Sequence, residues 1–335
     1  MKHWQVIPIL CIYAMILVAC KKDAINDPRF DHVIYHPTPY ILDYPDRFPL
    51  PIIPEDNPMT EEGIALGRRL YYDPVLHINN DRSCSTCHQQ EHAFTSAASV
   101  LPHINLGWNS AFLWNGKVQG TLEDIMLFEV KDFFLADLDR LNAHPDYPIL
   151  VYKAFGEKVV TYELLANALA QFERTMISSG SIYDKVMEGE LFFTDAQYDG
   201  FEIFFSERGD CFHCHGGVLF TDNAFHNNGL DAIPEAGLGA ITGIPVDMGK
   251  FKTPTLRNIE LTGPYMHDGR YSTLEEVIDF YSEGLHDSQT IDPLMKQIRK
   301  GGVKLTVKEK SDLLAFLKML TDHDFTVNPE LASPF

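Results

Sequence analysis

Two short motifs of cysteine and histidine carry the most specific chemistry in this sequence. Each has two cysteines three positions apart and a histidine directly after them: Cys84, Cys87 and His88, then Cys211, Cys214 and His215. In c-type haem attachment both thiols bond to the porphyrin, and the adjacent histidine ligates the iron. Cysteine pairs that share a zinc lie about 15–20 residues apart, whereas the first cysteines here are 127 residues apart. The spacing therefore predicts two covalently bound haems c with two histidine iron ligands.

Helical segments precede both motifs and must position them. Thr60 followed by two glutamates predicts a helix that begins there, and apolar residues then recur at helical spacing. A capping box that starts at Thr194 opens the helix before the second motif. Other helices are predicted to begin at or near Thr121, Ser272 and Thr306, and the clearest apolar stripe lies within residues 161–178. No strong strand pattern appears, so the predicted fold class is all-α.

The repeated order of helix, haem motif, long loop and helix predicts two cytochrome c-like haem domains. We expect the first to span residues 56–185 and the second residues 186–335, joined near residues 180–193. Residues 20–55 are rich in proline, which fixes φ and removes a hydrogen-bond donor. This segment is expected to be an extended tether whose later part lies along the first domain.

Residues 1–19 have the character of an export signal. The apolar run from Trp4 to Ala19 is short for a membrane span, which needs about 20 apolar residues. The sequence at 17–20, which ends in Cys20, resembles a bacterial lipobox. We therefore expect an exported, periplasm-facing lipoprotein that is held to a membrane by a lipid on Cys20.

The net charge of −20 excludes nucleic acid as an expected partner, because phosphate contacts need basic patches. An acidic surface favours a basic partner, since it attracts cations. The same acidity would also serve solubility alone.

The residues around both motifs resemble the bacterial di-haem cytochrome c peroxidases. The resemblance covers roughly residues 55–325 and rests on these segments: 66–74, 83–88, 93–95, 113–116, 211–215, 219–222, 225–227, 252–258 and 261–269. The last block, from Leu261 to Gly269, is the most specific. The family also contains the MauG-type enzymes, which use two haems to oxidise residues on a partner protein.

In the second half, the resemblance implies that His215 holds an electron-accepting haem. In the peroxidases a methionine ligand stands fourteen residues after the histidine that corresponds to His267. This chain has Tyr281 at that place, and MauG-type proteins have a tyrosine there too. Tyr281 is the favoured second ligand, Met266 is the alternative, and Tyr281 could instead be a core aromatic residue. Arg257 is expected to contact a haem propionate.

In the first half, the resemblance implies that peroxide reacts at the haem held by His88. Trp114 matches a tryptophan that lies between the haems and assists electron transfer, although a packing role would also suit it. After this tryptophan the peroxidases carry a glutamine and then a glutamate that positions and deprotonates peroxide, and this chain has neither residue at the matching position. Glu129 is therefore the candidate acid–base residue, and Asp132 is its alternative. His103 is the candidate distal ligand, followed by His92.

The leading functional hypothesis is reduction of hydrogen peroxide with electrons from a small cytochrome c or copper protein. The alternatives are a MauG-like oxidase and a non-catalytic electron carrier. Gly209 replaces the tryptophan that MauG-type enzymes have before the second motif, which counts against the first alternative. The resemblance implies a calcium ion at the carbonyls of Thr262 and Pro264, but the family's asparagine ligand would fall near Ser99, which counts against calcium.

Overall fold

The computed structural model describes residues 27–335, and its regular structure is mainly helical. The α-helices are α1 (Glu61–Tyr72), α2 (Cys84–Cys87), α3 (Leu122–Phe128), α4 (Leu138–Ala143), α5 (Tyr147–Phe155), α6 (Tyr162–Arg174), α7 (Ile182–Met187), α8 (Asp195–Phe204), α9 (Phe212–His215), α10 (Gly239–Thr242), α11 (Leu274–Glu283), α12 (Val307–Lys318) and α13 (His323–Val327). Two antiparallel pairs of two-residue strands accompany them: β1 (Ala111–Phe112) with β2 (Val118–Gln119), and β3 (Phe225–His226) with β4 (Phe251–Lys252). The predicted helical character is confirmed.

Side-chain caps set the starts of the main helices where the sequence predicts them. The hydroxyl of Thr60 accepts a hydrogen bond from the Gly63 amide at 3.0 Å and begins α1. Capping boxes at Thr194, Thr273 and Thr306 begin α8, α11 and α12. Each cap satisfies an amide that would otherwise have no partner in the first turn.

Each half of the chain has its own hydrophobic core, built on a close crossing of two helices. In the first half α1 packs on α6, where a β-carbon on Gly67 would lie only 1.9 Å from the carbonyl oxygen of Ala168. In the second half α8 packs on α12, where a β-carbon on Gly200 would lie 2.0 Å from the carbonyl oxygen of Asp312. The two glycines therefore let the helices that lead into the haem motifs approach their partners.

Both ends of the described chain pack against the first half. In the segment before α1, Phe48 is buried and stacks edge-on against Trp108, which belongs to the first half of the chain. At the other end, Phe325 and Leu331 belong to the first core although they follow α12. The Tyr72 hydroxyl donates a hydrogen bond to the Leu331 carbonyl at 2.6 Å.

The joint between the halves is an ordered helix, α7, which the sequence pattern did not predict. Its Asp184 is 1 % exposed and forms an ion pair with Arg257 of the second half at 2.8 Å. Just before it, one carboxylate oxygen of Asp322 accepts hydrogen bonds from the amides of Ser179 and Gly180 at 3.0 and 2.9 Å. These contacts fix the two halves to each other.

The signal peptide, the lipobox and Cys20 lie outside the described residues. Between residues 27 and 335, no helix combines the length and apolar character needed to cross a bilayer.

Candidate haem sites

The two motif histidines have the same local geometry. Nδ1 of His88 lies 2.9 Å from the carbonyl oxygen of Phe94, and Nδ1 of His215 lies 3.1 Å from that of Phe220. Both phenylalanines are fully buried and have left-handed φ values of 58° and 52°, which turn their carbonyls toward the rings. A bond at Nδ1 fixes the tautomer and leaves Nε2 to ligate iron.

Burial keeps both imidazoles neutral, the form that binds a metal. Desolvation lowers the pKa of His88 to about 3, and desolvation also lowers the pKa of His215. Because the neutral ring has a lone pair at Nε2, these sites suit an iron ligand without a competing proton.

A cavity of about 450 Å³ adjoins the first motif. It falls in the range of about 300–1,000 Å³ that is common for cofactor sites. Cys84, Cys87 and His88 line it together with mainly apolar side chains, and Leu219 and Lys252 extend its wall into the second half. The thiols, the oriented histidine and the apolar walls fit a covalently attached haem.

Two carboxyl groups line this cavity. Desolvation is the main cause that raises the pKa of Glu129 to about 7. Glu173 is fully buried, and neither of its carboxyl oxygens has a hydrogen-bond partner among the described residues. Desolvation raises its pKa to about 8, so it stays mostly protonated at neutral pH. Asp132, the alternative to Glu129, is exposed and is not part of the cavity wall.

Sequence reasoning missed Glu173, although a signal was present. The residue lies four positions after Leu169 on the apolar stripe of α6, where a charged side chain is out of place. A buried carboxyl on such a stripe points to a polar or functional neighbour.

The predicted distal ligand His103 lines the cavity but lies against His88. The two rings stack with centroids 3.5 Å apart and planes 22° apart. The rings are in face-to-face contact, and a distal-ligand role for His103 stays a prediction. Nδ1 of His103 lies 3.3 Å from the Tyr71 hydroxyl and 3.4 Å from Oε1 of Glu173. The second candidate, His92, is exposed and is not part of the wall.

Trp114 lies at the boundary between the halves. Its indole N–H donates to the carbonyl of Ser99 at 3.0 Å, and the Ser99 hydroxyl donates to the carbonyl of Met266 at 2.6 Å. The carbonyl of Trp114 accepts a hydrogen bond from the Lys252 amide at 2.8 Å. The indole therefore lines the first cavity while its loop is bonded to the second half.

At the second motif, Tyr281 and Met266 surround one amide group. The side-chain amide of Asn228 donates to the Tyr281 hydroxyl at 3.0 Å and lies 3.8 Å from the sulfur of Met266. Burial raises the pKa of Tyr281 to about 12, so its phenolate would need a nearby cation such as iron. Tyr281 and Met266, the two candidate ligands, therefore both contact the side-chain amide of Asn228. The Tyr281 hydroxyl is the nearer of the two to that amide.

The guanidinium of Arg257 has protein partners in the structure, and its contact with a haem propionate stays a prediction. The guanidinium is 1 % exposed and pairs with both carboxylate oxygens of Asp184 at 2.8 and 3.0 Å. Its Nε and Nη2 also donate to the carbonyl of Val218 at 2.9 and 2.6 Å. Through these hydrogen bonds Arg257 connects α7, which carries Asp184, to the second half of the chain.

The fold and the paired motifs define a c-type di-haem protein. A family model described as di-haem cytochrome c peroxidase matches residues 61–191. The chain is 33% identical over 290 residues to the methylamine utilization protein MauG of Methylorubrum extorquens, with 80% of each chain covered. It is 28% identical over 300 residues to the cytochrome c551 peroxidase of Nitrosomonas europaea, which covers 81% of this chain and 82% of that one.

A solved structure agrees with these relatives. The crystal structure of a MauG-like protein associated with microbial copper homeostasis is 36% identical, with a TM-score of 0.81 over 88% of this chain and 99% of that one. The chain belongs to the family of di-haem cytochrome c peroxidases and MauG proteins, and two c-type haems are its cofactors. It is an oxidoreductase of that family.

Proposed function

We propose that this protein reduces hydrogen peroxide at the His88 site, with electrons that enter through the His215 site from a small redox protein. The main observation behind this proposal concerns Glu129. Its carboxyl lines the cavity of the first motif, and burial raises its pKa to about 7. A group with that pKa can both accept and donate a proton at neutral pH. When bound, the first haem supplies the redox-active iron at which peroxide is reduced.

The chain's own residues divide the acid–base work. Glu129 would take a proton from one oxygen of the peroxide and give it to the other, so that the O–O bond breaks with loss of one water. Two electrons from the donor protein and two protons from solvent would convert the remaining oxygen into the second water. Glu173 is mostly protonated at neutral pH, so it adds little negative charge to the cavity. The apolar wall keeps bulk water away from both groups.

The two sites differ in a way that supports this division of roles. At the second motif Tyr281 has a hydroxyl that could ligate iron and that accepts a hydrogen bond from Asn228 at 3.0 Å. In the wall of the first cavity Phe128 has no ligating atom, and the Glu129 carboxyl is free to act on a substrate. A site without a strong second ligand is open to a substrate, whereas two strong ligands favour electron transfer.

Trp114 supports an electron path between the sites, since it contacts the cavity and is bonded through Ser99 to the loop that carries Met266. The net charge of −20 favours a basic electron donor. We propose a small cytochrome c or copper protein for this role, at a periplasm-facing surface to which a lipid on Cys20 holds the enzyme.

The test is steady-state consumption of hydrogen peroxide by the purified di-haem protein, with reduced cytochrome c as donor. Peroxide-dependent oxidation of the donor is expected from the wild-type protein and strongly reduced turnover from Trp114→Phe. Absence of turnover from both the fully oxidised and the half-reduced starting states would contradict the proposal.

A MauG-like oxidation of a partner protein is the second candidate, and the Tyr281–Asn228 contact favours it. A phenolate ligand stabilises oxidised iron, which suits an enzyme that stores oxidising equivalents. The similarity to MauG proteins at 33% identity adds support. The two candidates separate in one experiment, since a MauG-like enzyme reacts with peroxide in the fully oxidised state and a peroxidase of this kind needs prior reduction of one haem.

A further inference from the structure

A buried lysine lies at the boundary between the two halves, and no acidic side chain of residues 27–335 forms an ion pair with it. Lys252 belongs to β4 and is only 4 % exposed. β4 pairs with β3, which follows the second haem motif, and the Lys252 amide donates to the carbonyl of Trp114. The backbone thus holds this side chain between the two haem sites.

The ammonium of Lys252 has only neutral partners. Its Nζ donates to the side-chain oxygen of Asn223 at 2.6 Å and lies 3.5 Å from the carbonyl of Thr253. No carboxylate within residues 27–335 forms an ion pair with it. The neighbouring Asp222 carboxylate is instead 2.8 Å from Nε2 of His226. Burial lowers the pKa of Lys252 to about 8, in line with a cation that lacks its counter-ion.

Such an arrangement needs an anion, and no carboxylate within residues 27–335 pairs with this ammonium. A buried charge is costly unless it is paired, and Lys252 and Asn223 both line the cavity that adjoins His88. Haem c brings two carboxylates of its own, on its propionate side chains. Arg257, the residue expected from the sequence to bind them, is already paired with Asp184.

We propose that Lys252 binds a propionate carboxylate of a bound haem and that Asn223 holds its ammonium in place for that contact. The carboxylate comes from the haem of the first cavity or from that of the second motif, because β4 lies between them. The proposal rests on the covalent haems and not on peroxide turnover, so it can fail while the proposed function stands.

The test replaces the charge and reads the haems directly. Lys252→Gln keeps a donor for Asn223 but removes the charge, Lys252→Met removes both, and Lys252→Arg keeps the charge. Lys250→Gln is the matched control, because Lys250 is two residues away and already pairs with Asp247 at 3.0 Å. Haem content and thermal unfolding are measured first to select variants that hold two haems.

The first readout is the midpoint potential of each haem, separated by its optical spectrum. A nearby cation favours the reduced and less positive haem, so Lys252→Gln should lower one potential while Lys252→Arg and Lys250→Gln leave both unchanged. A shift in the first haem assigns the propionate to that haem, and a shift in the second assigns it to the other. Unchanged potentials in a two-haem Lys252→Gln or Lys252→Met variant would overturn the proposal.

The second readout is redox-difference infrared spectroscopy of protein grown with 5-aminolevulinate that carries ¹³C in its carboxyl group. This label marks the propionate carboxylates, and a band assigned to one of them should move in Lys252→Gln and not in Lys250→Gln. Identical labelled bands in the wild-type and Lys252→Gln proteins would show that no propionate contacts the lysine, which also overturns the proposal.

Discussion

Replacement of Glu129 by glutamine should abolish most of the acid–base assistance at the first site. With an ordinary pKa of 4.5, a glutamate is protonated in roughly one molecule in 300 at pH 7. With a pKa of about 7, caused mainly by burial, about half of the molecules are protonated and half are ionised. Glutamine keeps the shape but cannot exchange a proton, so we expect the rate of peroxide reduction to fall by about 10²–10⁴-fold.

The assay is stopped-flow mixing of the half-reduced protein with hydrogen peroxide between pH 5 and pH 9. The wild-type rate should depend on a group with an apparent pKa near 7, and this dependence should disappear in Glu129→Gln. Asp132→Asn is the matched control, since Asp132 is an exposed carboxylate three residues away that does not line the cavity. Equal rates and equal pH profiles for wild type and Glu129→Gln would refute the acid–base role.

Stability gives an independent check of the same pKa. The folded-state pKa of Glu129 is raised above 4.5, so the contribution of this group to stability is full below about pH 4.5 and is lost as the pH rises through about 7. The corresponding change is roughly 3 kcal/mol at most. Glu129→Gln should therefore be more stable than wild type at pH 9 and similar to it at pH 4.5, as measured by chemical denaturation at both pH values.

Three further predictions concern the second site and the fold. Tyr281→Phe should change the optical and electron paramagnetic resonance signals of one haem, whereas Met266→Leu should not; the reverse result would make Met266 the ligand. Gly67→Ala should destabilise the first half by several kcal/mol, because its methyl group would overlap a backbone carbonyl on α6, and an unchanged unfolding midpoint would contradict this crossing. Asp184→Asn should cost about 3–5 kcal/mol by leaving the Arg257 guanidinium buried without its counter-charge, and a cost below about 1 kcal/mol would show that this ion pair does not hold the joint.

The sequence predicts the parts of this fold that local chemistry determines. Helix starts at Thr60, Thr194 and Thr306 are specified by a capping side chain and the residues within one turn, so a single sequence is sufficient. The motif histidines are also local features, because two cysteines and a histidine are adjacent in the chain.

The remaining features depend on packing between distant segments. Helix α7 begins at a capping box of Ser181 and Asp184, a local signal that the sequence analysis missed, whereas the contact of Asp184 with Arg257, 73 residues later, has no local signal. The roles of Glu173 and Lys252 depend on which cavity their helix or strand faces, and that is a property of the tertiary structure.

The most direct test of this account is electron paramagnetic resonance of the oxidised protein, followed by the same measurement on the half-reduced protein before and after addition of one equivalent of hydrogen peroxide. We predict one high-spin signal from the haem at His88 and one low-spin signal from the haem at His215. The high-spin signal should be the one that peroxide removes. Two low-spin signals that peroxide leaves unchanged would contradict a reactive site at His88.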